Sequence, residues 1–139
     1  MGRINLKGVI VGGLIAGLIL NIVDYVFWGV IYAKDFEAAL QATGRPPSSS
    51  MVPVWIILDF LYGIALVYLY AAIRPRFGPG PATAVHAGLY LWVVIGLFHT
   101  IGEAPLGFLP MRLYVLGTIV GLIILPIAAV AGAKFYRET

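Results

Sequence analysis

Six polar residues in or beside the long apolar stretches of this sequence are the ones best placed to do chemistry. Asp24, Asp59, His99 and Glu103 can each exchange a proton, and Asn21 and Thr118 can hydrogen-bond to them. Carboxylates and imidazole also supply oxygen and nitrogen ligands to hard or borderline cations. Asn21 and Asp24 are three apart and His99 and Glu103 four apart, so each pair shares a helix face. Ionisable groups inside a membrane are costly, which makes this set the best functional lead in the chain.

Three uses fit such a cluster. The first is a structural network, in which the carboxyls hydrogen-bond to Tyr62, Asn21, Thr118 or Arg112 across helices and one or both aspartates keep a proton. The second is a cation or proton site in a cavity open to one side of the membrane. The third is contact with a partner subunit or pigment. No spacing motif assigns metal ligands, and His99-Thr-Ile-Gly-Glu103 is not a zinc motif. No nucleophile elbow, phosphate-binding glycine loop or His-Glu-x-x-His appears, so no catalytic residue is assigned and enzymatic function is not expected. Haem would need His86 and His99 on one face, but thirteen residues along a helix leave them about 140° apart. No cofactor is expected.

The elements that carry these residues follow from composition. The 139 residues are 61% hydrophobic and only 11% charged, too few charges to solvate a soluble domain of this size. The apolar residues fall into four runs, at about 8–33, 52–73, 82–101 and 111–133. Each is close to the roughly 20 residues that cross a ~30 Å hydrocarbon core. The runs are continuous rather than alternating, which selects helices over a β-barrel. The expected fold is all-α: one transmembrane domain over 1–139, a four-helix bundle built from two helical hairpins. The absence of cysteine excludes disulfides and thiolate chemistry.

The first run resembles a signal peptide, with Arg3 and Lys7 before it, but it is too long for an h-region and reads as an uncleaved span. Gly2 is not expected to be myristoylated, since residue 6 is Leu rather than Ser or Thr. Arg3, Lys7, Arg74, Arg76, Lys134 and Arg137 fall on one side of the membrane, and Lys34, Arg45 and Arg112 on the other. The positive-inside rule then makes both termini cytoplasmic. The net charge of +3 is small and placed at helix ends, so it marks orientation rather than nucleic-acid binding.

On this topology Asp24 and Asp59 each lie about four residues, or ~6 Å, outside the midplane and share a layer. Thr118 falls in the same layer, and His99 and then Glu103 lie further out. A short outer helix is expected at 36–43, capped by Asp35 and ended by Gly44, followed by a stiff Arg45–Ser50 link. Three prolines and two glycines in Arg74–Pro81 predict a non-helical inner turn that meets anionic headgroups.

Lipid tails compete with apolar packing, so close backbone approach through small residues must hold the helices together. Gly13 with Gly17, and Gly117 with Gly121, form two GxxxG pairs. They are expected either inside the bundle or at a contact face for another copy or a larger complex. Pro126 is expected to kink the last span. Trp28, Tyr32, Trp55 and Tyr114 are expected in an outer aromatic belt, and Tyr70 and Tyr136 in an inner one. A weak parallel repeat pairs Ala16-Gly17-Leu18 with Ala87-Gly88-Leu89, and Pro53 and Gly63 with Pro110 and Gly121.

The segment Ala71-Ala-Ile-Arg-Pro-Arg-Phe-Gly-Pro-Gly-Pro81, with Thr83-Ala84, Ala87-Gly88-Leu89, Trp92 and the ending Gly132–Glu138, resembles a group of small, uncharacterised four-span bacterial membrane proteins. The resemblance implies a bacterial inner membrane and carries no activity, ligand or site residue. Few polar groups, short loops and no catalytic motif favour a structural or accessory subunit that associates with itself or a larger membrane complex. The alternative is a small transporter or channel using Asp24, Asp59, His99 and Glu103.

Overall fold

The computed structural model describes residues 2–139, and every regular element among them is helical. Helix α1, Leu6–Val26, starts where the Asn5 side chain accepts a hydrogen bond from the Gly8 amide at 3.1 Å, and it runs on through a π-turn at Phe27–Ile31. Helix α2, Ala33–Ala42, follows directly. A 3₁₀ turn at Ser48–Ser50 leads into α3, Val52–Phe77. Helix α4, Pro81–Leu91, passes through a second π-turn, Trp92–Leu97, into α5, Phe98–Glu103. After a 3₁₀ turn at Ala104–Leu106, α6 runs Met111–Ala133.

Four continuous apolar helices result, Leu6–Ile31, Val52–Phe77, Pro81–Leu106 and Met111–Ala133. The shortest has 23 residues, about 34 Å of helix, enough for a bilayer core. The chain is an integral membrane protein, a four-helix bundle made of an α1/α3 hairpin beside an α4/α6 hairpin. Helix α1 packs most broadly on α3, and α4 on α6; α1 also meets α6 and α3 meets α4.

Close approach rather than greasy bulk makes these contacts. A Cβ on Gly63 would lie 2.2 Å from the Gly13 carbonyl oxygen and 2.4 Å from the Gly17 amide nitrogen, so α1 and α3 touch backbone to backbone. Gly12 and Gly132 join α1 to α6 in the same way, and Gly88 lets α4 onto α6 at Pro126, where a Cβ would sit 2.6 Å from the proline Cα. The Ala-Gly repeat survives in packing: Ala16 and Ala87 are both fully buried, and Gly17 and Gly88 each hold a hairpin together. Its second half does not, because Gly63 meets backbone whereas Gly121 meets the Trp92 ring.

Two local expectations are corrected. Arg74–Phe77 is helical despite Pro75, and α3 ends only at Gly78 (φ 86°). Pro75 has no amide to give the Ala71 carbonyl, and the helix runs on for only two residues before Gly78 ends it. The exposed carbonyls are recovered by Thr83, whose hydroxyl donates to the Gly78 carbonyl at 2.6 Å. The tight link is thus only Gly78–Pro79–Gly80, with Gly80 at φ 120° and its amide donating to the Tyr70 hydroxyl. Helix α2 begins at Ala33 rather than 36, because the Phe36 amide finds the Tyr32 carbonyl at 2.9 Å and Asp35 is not needed as a cap.

The end that carries the termini is called inner, following the Lys and Arg distribution. There Asn5 donates from its amide to the Tyr136 hydroxyl and from its side chain to the Arg137 carbonyl at 2.9 Å. Tyr70 and Tyr136 do not form an interfacial belt: each is 4% exposed, and they stack edge to face in the core. That core, with Leu66, Val67, Ala71, Ala84, Ala128 and Ala129, fills the inner half of the bundle.

Candidate functional site: a carboxyl pair below an outer groove

The outer half is built differently. Beyond Gly17 the next small residues on α1 give way to Asn21 and Asp24, and α3 offers Asp59 and Trp55. Asn21 ties the hairpin here, donating from Nδ2 to the Gly17 carbonyl at 3.1 Å and to the Ile56 carbonyl at 3.3 Å. One turn further out the Asp24 and Asp59 carboxyls meet within hydrogen-bonding reach of each other. Asp59 is 7% exposed, and Asp24 is open to the groove above it.

Among the described residues the ion pairs are Arg74 with Glu138, His99 with Glu103 and Arg112 with Asp35, so no basic side chain reaches either aspartate. Two carboxyls in contact cannot both stay charged in a medium this dry without a third party. A shared proton or a bound cation would balance the pair.

The pair sits between two cavities. Beside the pair and outward of it runs a groove of about 780 Å³, reaching from Leu18 and Tyr62 to Ser48 and Leu109 and lined by both aspartates, Asn21, Tyr25, Trp28, Phe36 and Trp55. Inward lies a chamber of about 170 Å³ at the centre of the bundle, lined by both aspartates, Tyr62, Trp92, Thr118 and Gly121. Below it the inner core is closed.

Helix α2 roofs the groove. Phe36 stacks between Trp28 and Trp55, with ring centroids 5.3 and 5.8 Å away. Asp35 holds α2 to Arg112 of α6 at 2.8 Å, and Glu37 accepts from the Ser48 amide at 3.0 Å and from its hydroxyl. Trp28 belongs to the first π-turn, and its ring lies on Gly117. Trp92 opens the second; its ring lies on Gly121 and its Nε1 donates to the Thr118 carbonyl at 2.8 Å.

The residues singled out from sequence therefore divide. Asn21, Asp24 and Asp59 come together, and Thr118 borders the inner chamber, its hydroxyl donating to the Tyr114 carbonyl at 2.7 Å and bonding Thr100 at 2.8 Å. His99 and Glu103 pair with each other at 2.8 Å, but the imidazole is 66% exposed and neither residue lines the cavities beside the aspartates. No three His, Asp or Glu side chains converge among the described residues. Gly13 and Gly17 pack inside the bundle, whereas Gly117 and Gly121 serve as platforms for the two indoles. Sequence reasoning missed Trp92 and Phe36 as site residues. A tryptophan in mid-span, rather than at an interface, was the available signal for the first.

No family model matches the chain, and neither a curated protein nor a solved structure matches it.

Proposed function

We propose that the protein is a small membrane carrier whose working element is the Asp24–Asp59 pair, which holds a proton or a cation in exchange. The observation behind this reading is a carboxyl pair without a basic partner on the wall of a groove, with Asp59 buried and Asp24 open to the groove. The 170 Å³ chamber beneath the pair gives the cargo a next stop, and it is large enough for several waters. The closed inner core argues for a carrier that must part its inner helices rather than an open channel. The proposed setting is a bacterial inner membrane with both termini in the cytoplasm, in keeping with the Lys and Arg distribution.

The test is a reconstitution. Proteoliposomes with a pH indicator inside are given an imposed pH gradient, then Na⁺, K⁺, ammonium and alkylammonium ions in turn. At least one cation should dissipate the gradient faster than in empty liposomes. Asp59→Asn and Asp24→Asn should abolish the effect. Equal rates in wild type and both variants would refute a role for the pair, and no effect from any cation would refute the carrier.

A further inference from the structure

The groove also specifies what kind of cation fits it. Resting on the cation-site reading above, we propose that its occupant is an amphipathic organic cation, a protonated amine or onium with an aromatic or bulky apolar body.

Three observations converge. The first is ligand supply. Ca²⁺ and Mg²⁺ want six or more oxygens and Zn²⁺ four ligands, and only two carboxyls converge here. An onium head needs none of those bonds, only a compensating charge and a soft wall. The second is size and lining: a groove of about 780 Å³ suits a drug-sized molecule, far more room than an inorganic ion requires. The third is the vertical arrangement. Trp55 precedes Asp59 by one turn of α3, and Trp28 follows Asp24 by about one turn into the π-turn, so both indoles branch from backbone ~6 Å further out than the aspartates and line the same groove. Phe36 closes the gap between them. The head of the cation rests on the carboxyls, and its body lies against the rings, whose faces attract positive charge.

Asp59 gives the site its anchor. It is nine-tenths buried, lines the groove and has no basic neighbour. Binding balances by simple exchange. The pair shares one proton when empty of cargo; a monovalent cation displaces that proton to the outer solution, and the net charge of the site is unchanged.

The test uses tetraphenylphosphonium and the full-length protein purified in detergent, followed by titration calorimetry in weak buffer. Wild type should bind the ion and release protons as it does so. Trp55→Ala should weaken binding by about threefold to thirtyfold, the range of one cation–π contact, while Trp55→Phe stays near wild type. Asp59→Asn should remove both binding and proton release. Na⁺ and Ca²⁺ should not compete. If Asp59→Asn does not fold, the Trp55 pair of variants decides. Equal binding by wild type, Trp55→Ala and Trp55→Phe overturns the proposal. If tetraphenylphosphonium does not bind but Na⁺ or K⁺ still dissipates the liposome gradient through Asp59, the organic cargo is refuted and the carrier stands. If neither occurs, both fall.

Discussion

The α1/α3 contact makes the sharpest stability prediction. In Gly63→Ala the new methyl would lie 2.2 Å from the Gly13 carbonyl oxygen, 2.4 Å from the Gly17 nitrogen and 2.7 Å from the Gly17 Cα. All three are backbone atoms, so no side chain can swing aside. Real Cβ atoms keep at least 3.0 Å, so the helices must part by about 0.8 Å or more along their tightest contact. Overpacking of this kind costs about 1–3 kcal/mol, and backbone on the opposing side puts this case near 3 kcal/mol. That is a shift of about a hundredfold in the folding equilibrium. Gly102→Ala is the control: nothing lies within 4 Å of its Cβ, and the site is helical, so it should be neutral or slightly stabilising. Reversible unfolding in mixed micelles, followed by circular dichroism, measures both. A Gly63→Ala protein as stable as wild type would refute the claim that the hairpin is held by backbone contact.

Other variants probe separate links. Asn21→Ala removes the 3.3 Å bond to Ile56 and should cost roughly 0.6–1.7 kcal/mol in the same unfolding assay, the range found for interhelical bonds in lipid. Arg112→Ala cuts the exposed pair to Asp35; stability should change by under about 1 kcal/mol, yet amide exchange across Ala33–Ala42 should quicken as α2 loosens over the groove. Asn5→Ala removes both the α1 cap and the tie to Arg137, so it should cost about 1 kcal/mol and speed trypsin cleavage at Lys134. Glu103→Gln should leave tetraphenylphosphonium binding unchanged, since that carboxyl faces His99 and lies outside the groove.

Depth was legible in the sequence and rotation was not. Counting residues from the span centres placed Asp24 and Asp59 in one layer, and they do meet. The same counting added His99 and Glu103, which pair with each other and line neither cavity beside the aspartates. Helices that are apolar on all sides carry no stripe to say which face points inward. The π-turn at Trp92–Leu97 worsens this, because one inserted residue rotates everything beyond it by about 100°. Glycine motifs show a related limit. Gly13/Gly17 and Gly117/Gly121 have the same spacing, but a small residue opens a space without naming its occupant. Backbone fills the first space and indole the second. The groove depends on α2 folding back over it through Phe36 onto Trp28 and Trp55, and the apolar periodicity of the spans does not encode that aromatic contact.

The bond between Asn5 and Tyr136 spans 131 residues of sequence. Its consequence concerns the order of assembly during synthesis. The α1/α3 hairpin, with both aspartates, is complete once residue 77 has left the ribosome, while the inner closure must wait for residue 136. A nascent chain therefore has its two aspartates in place before the inner core can close beneath them, because that core takes residues from the last span and Tyr136.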